Sequence, residues 1–198
     1  MNVVFDIGNV LVHWEPRALY RKIFASEDQV EWFIANVCNH DWNVEQDRGR
    51  SFADAVIEAT ARFPEHAEAI AAYDLRWHET VLGPIDGTVA ILAELKARGT
   101  PLYAITNFNQ DKFKETLERF AFLGAFRDIV VSGDERVIKP DPAIYRLLLQ
   151  RNGLAAGDCV FIDDSLKNVT GAQAVGMKAI HFTTPEALRA ALAGMGLL

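Results

Sequence analysis

The sequence predicts an α/β fold in which a doubly wound, parallel, five-stranded sheet carries an inserted helical segment. Short apolar runs that end in small or polar residues alternate with stretches of helical periodicity over most of the chain. One long interruption, between the first apolar run and the second, shows helical periodicity alone. Alternating strands and helices are typical of a parallel sheet with helices on both faces, as in Rossmann-like folds.

The predicted strands are short and continuous in their apolar character. In chain order they are Val3–Asp6, Pro101–Thr106, Asp128–Ser132, Cys159–Asp164 and Lys178–Thr183. The predicted helices between them are Gly87–Arg98, Gln110–Phe120, Pro142–Asn152 and Leu166–Val175. Gly99, Gly153 and Gly176 stand where three of these helices are expected to stop.

The interruption predicts a second, smaller domain made of helices. We expect a core domain of residues 1–15 and 84–198 and a helical insert of residues 16–83. Helical patterns cover Ala18–Ala25, Val30–Val37, Phe52–Arg62 and Glu65–His78, and no segment of the insert reads as a strand. Pro16 and the pair Gly83-Pro84 punctuate its two ends and predict hinges there.

Composition narrows the function classes. The chain has 198 residues, 50% of them hydrophobic, which is enough for one sizeable core. A net charge of −7 argues against general binding to nucleic acid or to an anionic membrane. Cys38 and Cys159 lie too far apart in sequence for a zinc motif and are too few for a disulfide scaffold, so we expect buried thiols. Asp6 interrupts the first apolar run too early for a signal peptide or membrane span, so we expect a cytoplasmic protein, whose oligomeric state the sequence does not indicate.

Polar and charged residues gather at the ends of the predicted strands. Ligands of an open parallel sheet bind beyond the carboxyl ends of its strands. The residues there are Asp6 after the first strand, Thr106 and Asn107 at the second, Lys139 after the third, and Asp163 and Asp164 at the fourth. Three carboxylates, a hydroxyl, an amide and an ammonium suit a hard cation beside a phosphoryl group. The sequence therefore predicts a Mg²⁺ site, with Asp6, the carbonyl of Gly8, Asp163 and Asp164 as candidate ligands.

These four segments, in this order, resemble the four motifs of the haloacid dehalogenase superfamily, which consists mostly of magnesium-dependent phosphatases. The run Ile162–Val169 is especially similar to the subfamily whose helical cap lies between the first two motifs. The run Asp6–Val10 resembles that of sugar-phosphate phosphatases of the glucose-1-phosphate type. The resemblance implies that Asp6 attacks phosphorus and becomes an aspartyl-phosphate. It also implies that Thr106 and Lys139 hold the phosphoryl oxygens and that Asp163 and Asp164 hold the metal. A small phosphorylated metabolite is the expected substrate.

One position departs from the resemblance. Phosphatases of this kind usually carry a second aspartate two residues after the nucleophile, which acts as acid for the leaving alcohol and then as base for water; this chain has Gly8. General acid–base help is typically worth ~10²–10⁴ in rate. The departure predicts a slower enzyme, a substitute such as His13, or a substrate with a good leaving group, such as a sugar 1-phosphate.

The insert is expected to select the substrate. Its segment Trp42–Arg50 joins two predicted helices and resembles the cap loop that faces the active site in this subfamily. Arg48 or Arg50 can recognise an anionic or hydroxylated substrate through the guanidinium's several donors. Arg48, His13 and Asn107 are therefore the candidate substrate contacts.

Two other functions stay open at this point. A 2-haloacid dehalogenase uses an aspartate such as Asp6 to displace halide from carbon, needs no metal and commonly lacks the second aspartate. Such enzymes resemble one another in having small polar residues where this chain has Asp163 and Asp164, and a metal-free pocket for an anion gains nothing from two more negative charges. The third possibility is a binding protein that kept the fold and lost turnover together with its acid.

Overall fold

The computed structural model describes all 198 residues. Its strands, in chain order, are β1 Asn2–Phe5, β2 Val12–Trp14, β3 Val81–Pro84, β4 Leu102–Thr106, β5 Asp128–Val131, β6 Cys159–Asp163 and β7 Lys178–His181. Five of them form a sheet in the order β5-β4-β1-β6-β7, and every neighbouring pair is parallel. The predicted fold class is confirmed, and each of the five predicted strands ends within two residues of the observed one.

Eleven α-helices accompany the strands. They are α1 Arg17–Tyr20, α2 Glu27–Asn36, α3 His40–Asp47, α4 Phe52–Arg62, α5 Ala67–Leu75, α6 Asp86–Ala97, α7 Gln110–Arg119, α8 Ser132–Glu135, α9 Pro142–Asn152, α10 Leu166–Ala174 and α11 Pro185–Gly194. Short 3-10 turns lie at Pro64–His66, Trp77–Thr80, Ala121–Ala125 and Ala156–Asp158. No helix combines the length and the apolar character needed to cross a membrane.

The central strands of the main sheet, β4, β1 and β6, are buried on both faces because apolar side chains point to either side of them. Along β1, Val3 and Phe5 belong to a large hydrophobic cluster, whereas Val4 belongs to a smaller one on the other face. The smaller cluster includes Ile144 and Leu148 of α9. A fully covered parallel sheet needs continuous apolar strands, which is the pattern found in the sequence.

The insert packs around aromatic side chains. Tyr20 and Phe33 lie with ring centroids 4.6 Å apart, and Tyr73 stacks on Phe52 at 5.8 Å and meets Trp42 edge-on at 5.1 Å. All five rings are part of the same hydrophobic cluster as Val3 and Phe5 of β1. The apolar interior therefore runs from the sheet into the insert without a break.

Three sequence predictions were wrong or incomplete. No strand was expected in the insert, yet β3 lies at its end and pairs antiparallel with β2, joining Val12 to Pro84 and His13 to Gly83. Strands of three and four residues are too short to show a clear alternation, and glycine and proline argue against strand. Most of the segment Trp42–Arg50 is helix α3, not a loop, because Asn39 caps it by accepting a hydrogen bond from the backbone of Trp42 at 2.8 Å. Helix α11 was not predicted.

Candidate active site at the carboxyl edge of the sheet

The strand order reverses at β1, which has β4 on one side and β6 on the other. Loops that follow the central strands diverge at such a reversal and leave a crevice at the carboxyl edge. Asp6 follows β1, Thr106 ends β4 and Asp163 ends β6. The topology thus brings together three residues that are far apart in sequence.

A buried lysine joins two of the carboxylates. The Nζ of Lys139 lies 2.7 Å from Oδ1 of Asp6 and 2.7 Å from Oδ2 of Asp163. Lys139 is 2% exposed, Asp163 0% and Asp6 7%. Charges this deep are tolerated only when they are paired and hydrogen-bonded, so the three side chains form one interdependent unit.

Asp163 and Asp164 differ in their surroundings. Besides Lys139, the carboxylate of Asp163 accepts hydrogen bonds from the backbone of Ser165 at 2.8 Å and from Nδ2 of Asn168 at 3.0 and 3.1 Å. Asp164 is an exposed residue, but its carboxyl group is partly buried. This partial burial and the neighbouring carboxylate of Asp163 raise the pKa of Asp164. Asp163 is therefore committed to protein donors, whereas Asp164 is the carboxylate with free oxygens.

The cluster has more negative charge than its lysine balances. Asp6, Asp163 and Asp164 each offer an oxygen within 4.8 Å of the others. Burial raises the pKa of Asp6 to about 8, with Lys139 opposing and the carboxylates of Asp163 and Asp164 adding to the rise. An additional cation would offset this excess of negative charge, and carboxylate oxygens are the donors that Mg²⁺ prefers. The residues present therefore fit a hard divalent cation.

The residues at the end of β4 have separate tasks. Thr106 is 1% exposed, and its hydroxyl has no hydrogen-bond partner in the structure. A buried hydroxyl without a partner costs about 1–3 kcal/mol, which an oxygen of a bound ligand would offset. The side chain of Asn107 instead forms two hydrogen bonds with the backbone of Lys139. It accepts one from the N–H at 2.8 Å and donates one to the carbonyl at 3.1 Å. Asn107 thus positions the lysine.

A cavity lies between this edge and the insert. Its lining comes from Gly8, Trp14, Asn107, Phe108, Asn109 and Lys112 on the side of the sheet and from Asn43, Asp47, Phe52 and Trp77 on the side of the insert. Polar amides and aromatic rings share the lining, as is usual for small-molecule sites.

Two predicted substrate contacts do not line the cavity. His13 is exposed on β2, whereas its neighbour Trp14 reaches the cavity, as alternation along a strand requires. The side chain of Arg48 is half exposed, and its Nε lies 3.6 Å from Glu45. Arg50 donates to Gln46 and to the carbonyl of Trp42 and pairs with Glu58, so it holds the insert together.

Sequence reasoning overlooked Asp47, the last residue of α3, which does line the cavity. Burial raises its pKa to about 7, against the lowering effect of Lys139. Its sequence signal is weak, since an acidic residue beside an arginine and a glycine is common in solvated loops. Its importance comes from the tertiary position of α3.

Comparisons with known proteins identify similar sequences and a similar fold. The family model of haloacid dehalogenase-like hydrolases matches residues 1–176. A sesquiterpene phosphatase of Aspergillus oryzae is 28% identical over 91% of this chain and 88% of its own length. A phosphoglycolate phosphatase of Pectobacterium atrosepticum is 28% identical over 91% of this chain and 79% of its own. The crystal structure of a HAD-family enzyme from Bacteroides thetaiotaomicron, in complex with magnesium and inorganic phosphate, superposes with a TM-score of 0.71 at 20% identity, covering 92% of this chain and 94% of that one.

Proposed function

We propose that this chain, which belongs to the haloacid dehalogenase-like hydrolases, hydrolyses phosphoric monoesters of small metabolites with the help of Mg²⁺. The observation that carries the proposal is the cluster of three carboxylates, Asp6, Asp163 and Asp164, two of which pair with one buried lysine. The two relatives described above, both phosphatases by name, support it.

In this proposal Asp6 is the nucleophile. One of its carboxylate oxygens forms a bond to phosphorus while the bond from phosphorus to the leaving oxygen breaks, which gives an aspartyl-phosphate that water then hydrolyses. Lys139 fixes the Asp6 carboxylate from 2.7 Å and provides positive charge for the phosphoryl oxygens. Thr106 donates its unpaired hydroxyl to one of those oxygens.

The residues that would hold the metal are Asp6, Asp164 and the carbonyl of Gly8, with Asp163 behind them. When bound, Mg²⁺ supplies charge that neutralises the phosphoryl group and makes attack by a carboxylate feasible. Asp163, whose oxygens already accept four hydrogen bonds, acts mainly by holding Lys139, and its negative charge would add to the attraction for the metal.

We further propose that residues 16–83 act as a cap domain over a core of residues 1–15 and 84–198. The cap closes the cavity and selects the substrate. Amide side chains of Asn43 and Asn109 and the ring of Trp77 line it, which suits a hydroxylated metabolite such as a sugar phosphate. Asn107 contributes through Lys139, and His13 and Arg48 are at most contacts for the outer part of a substrate.

Dehalogenation is the second candidate, and Gly8 is the observation that favours it. The same site opposes it, because two further carboxylates beside Asp6 hinder binding of an anionic haloacid unless a cation offsets them. The two activities differ in their need for metal, so one experiment separates them.

The test is a screen of phosphorylated metabolites and L-2-chloropropionate, each with Mg²⁺ and after exhaustive chelation. We expect phosphate release that depends on Mg²⁺ and disappears in Asp6→Asn. Asp158→Asn is the matched control, because Asp158 is an exposed carboxylate next to the opposite end of β6. Full phosphatase activity after chelation, or turnover of the haloacid alone, contradicts the proposal. Retained turnover in Asp6→Asn contradicts the covalent mechanism.

A further inference from the structure

We infer that Asp47, a residue of the insert, is the catalytic acid and base that replaces the carboxyl group missing at Gly8. The inference rests on the proposed phosphatase function and adds a residue to it. It also explains how a site without the second aspartate can expel a poor leaving group.

Asp47 and Gly8 line the same cavity from opposite sides. Asp47 is the one carboxyl group in that lining. The other candidate, His13, is exposed on β2 and lies outside the lining. A proton for the leaving oxygen therefore has one carboxylic source within the cavity.

The backbone around Asp47 is fastened to the sheet side of the site. The hydroxyl of Ser132 donates to the carbonyl of Asp47 at 2.6 Å and accepts from the backbone of Phe108 at 2.9 Å, two residues beyond Thr106. Nδ2 of Asn109 donates to the carbonyls of Gln46 and Arg50 at 3.4 and 3.3 Å. These bonds fix the end of α3 against the loop that carries Thr106, as a catalytic group requires.

The backbone at Gly49 also lies close against the core, at Gly133 of α8. This glycine has φ +98°, and a Cβ there would come within 2.7 Å of the carbonyl oxygen of Gly133. A side chain would therefore push α3 away from α8. The glycine after Asp47-Arg48 therefore allows this segment to pack directly against the core.

The Asp47 carboxyl group itself is sparsely bonded. It accepts one long hydrogen bond, 3.4 Å from Nδ2 of Asn43, and Asn43 is oriented by the hydroxyl of Tyr73 at 2.8 Å. The charged groups facing it from the core are Lys139, which lowers its pKa, and Lys112, which is neutralised by Asp74 and Glu115. Burial prevails and raises the pKa of Asp47 to about 7, which suits a group that gives and takes a proton near neutrality.

The chemistry balances in two steps. As the Asp6 oxygen bonds to phosphorus, the bond from phosphorus to the leaving oxygen breaks, and that oxygen takes the proton of Asp47 and departs as a neutral alcohol. The Asp47 carboxylate then removes a proton from the water that attacks phosphorus, and the bond from phosphorus to the Asp6 oxygen breaks. Inorganic phosphate is released, and both aspartates return to their starting forms.

The experiment measures kcat/KM with Mg²⁺ for para-nitrophenyl phosphate, phenyl phosphate and a simple alkyl phosphate. Asp47→Asn keeps the shape of the side chain and removes the acid. We expect a loss of about 10²-fold or more on the alkyl ester and a much smaller loss on the nitrophenyl ester, whose leaving group needs no proton. Glu45→Gln, an exposed position on the same helix, is the control and is expected to keep wild-type rates.

Rescue makes the test specific. A Cβ at Gly8 would meet no atom within 4 Å, and Gly8 is not in the left-handed region, so Gly8→Asp is sterically allowed. We expect Gly8→Asp to restore the alkyl ester reaction in Asp47→Asn. Asp47→Ser is measured in parallel. The kinetics are interpreted for whichever of the two Asp47 variants keeps the wild-type melting temperature.

The outcomes separate the two proposals. An equal loss on all three esters, no loss, or no rescue overturns the role of Asp47, while Mg²⁺-dependent turnover that needs Asp6 leaves the phosphatase proposal standing. Absence of phosphatase turnover in the wild-type protein overturns both.

Discussion

The sheet edge and the insert hold their functional groups in different ways. At the edge, Asp6, Lys139 and Asp163 are buried and joined by ion pairs of 2.7 Å. The insert is held internally by aromatic rings, and the end of its helix α3, at Asp47, meets the core through hydrogen bonds to backbone carbonyls. Removing a member of a buried ion pair leaves an uncompensated charge, whereas losing one hydrogen bond to the backbone is a small change.

The difference indicates a division of labour. Changes at the edge should affect every substrate and the stability of the fold. Changes in the insert should affect some substrates more than others. Three substitutions test this contrast, in order of decreasing effect.

The largest effect is expected for Lys139→Met. Removing the ammonium leaves Asp6 and Asp163 unpaired in the interior, which is expected to cost about 3–5 kcal/mol of unfolding free energy. Turnover of all phosphate esters should fall by about 10³-fold or more, because the charge facing the phosphoryl oxygens is lost. Steady-state kinetics and urea unfolding measure the two effects.

The stability loss in Lys139→Met should shrink as the pH falls. Lys139 opposes the rise in the pKa of Asp6 that burial and the carboxylate of Asp163 cause, so without the lysine the pKa of Asp6 lies still further above that of the unfolded chain. The native state then binds more protons and gains stability on acidification. Lys178→Met, at an exposed position on β7, is the control. A loss confined to one substrate would show that the edge does not act on all substrates alike.

An intermediate effect is expected for Ser132→Ala. Its hydroxyl links the carbonyl of Asp47 to the backbone of Phe108, and loss of such a bond is worth about 1 kcal/mol, or roughly fivefold in rate. We expect the poor leaving groups to suffer most and amide hydrogen exchange in α3 to accelerate. Ser51→Ala, which removes the cap of α4, should lower stability by a similar amount and leave the substrate ranking unchanged. An unchanged exchange rate in Ser132→Ala would mean that this bond does not fasten the insert.

The smallest effect is expected for Arg48→Ala. The side chain is half exposed and its contact with Glu45 is 3.6 Å long, so an effect above about 1 kcal/mol, roughly fivefold, is not expected on any substrate. Its direction is the informative part: preferences across a metabolite panel should shift while hydrolysis of a small aryl phosphate stays constant. Arg50→Ala should instead destabilise the insert, because its guanidinium bonds Gln46 and Trp42. An equal loss on every substrate in Arg48→Ala would place Arg48 in folding or in the core chemistry.

Local patterns allowed the main sheet and its ligand edge to be predicted. Continuous apolar runs define the strands, and the helices between them follow from their periodicity. Asp6, Thr106, Lys139 and Asp163 are found together because strand order brings the strand ends to one edge.

Two features of the insert, the β2–β3 pair and the orientation of α3, could not be predicted from local sequence. The short pair β2 and β3 is stabilised by its long-range pairing and has no local signature of its own. The choice between Arg48 and Asp47 as the residue facing the cavity depends on the orientation of α3, which tertiary contacts from Ser132 and Asn109 set. Residue type alone favoured Arg48 as the residue that faces the cavity, whereas the packing of α3 places Asp47 there.

The ribbon of β2 and β3 has a consequence for how such a chain can be altered. Further hydrogen bonds extend it, from Glu15 to Thr80 at 2.7 Å and from Ile85 to Leu11 at 2.8 Å, so the chain enters and leaves the insert side by side. The segment between is thus a module closed at its base, and lengthening it adds little loop-closure entropy. Grafting a foreign module onto this base, with Asp47, the backbone partners of Ser132 and Asn109 and the apolar surface that packs on the sheet retained, should therefore leave the sheet folded and change which substrates the site accepts.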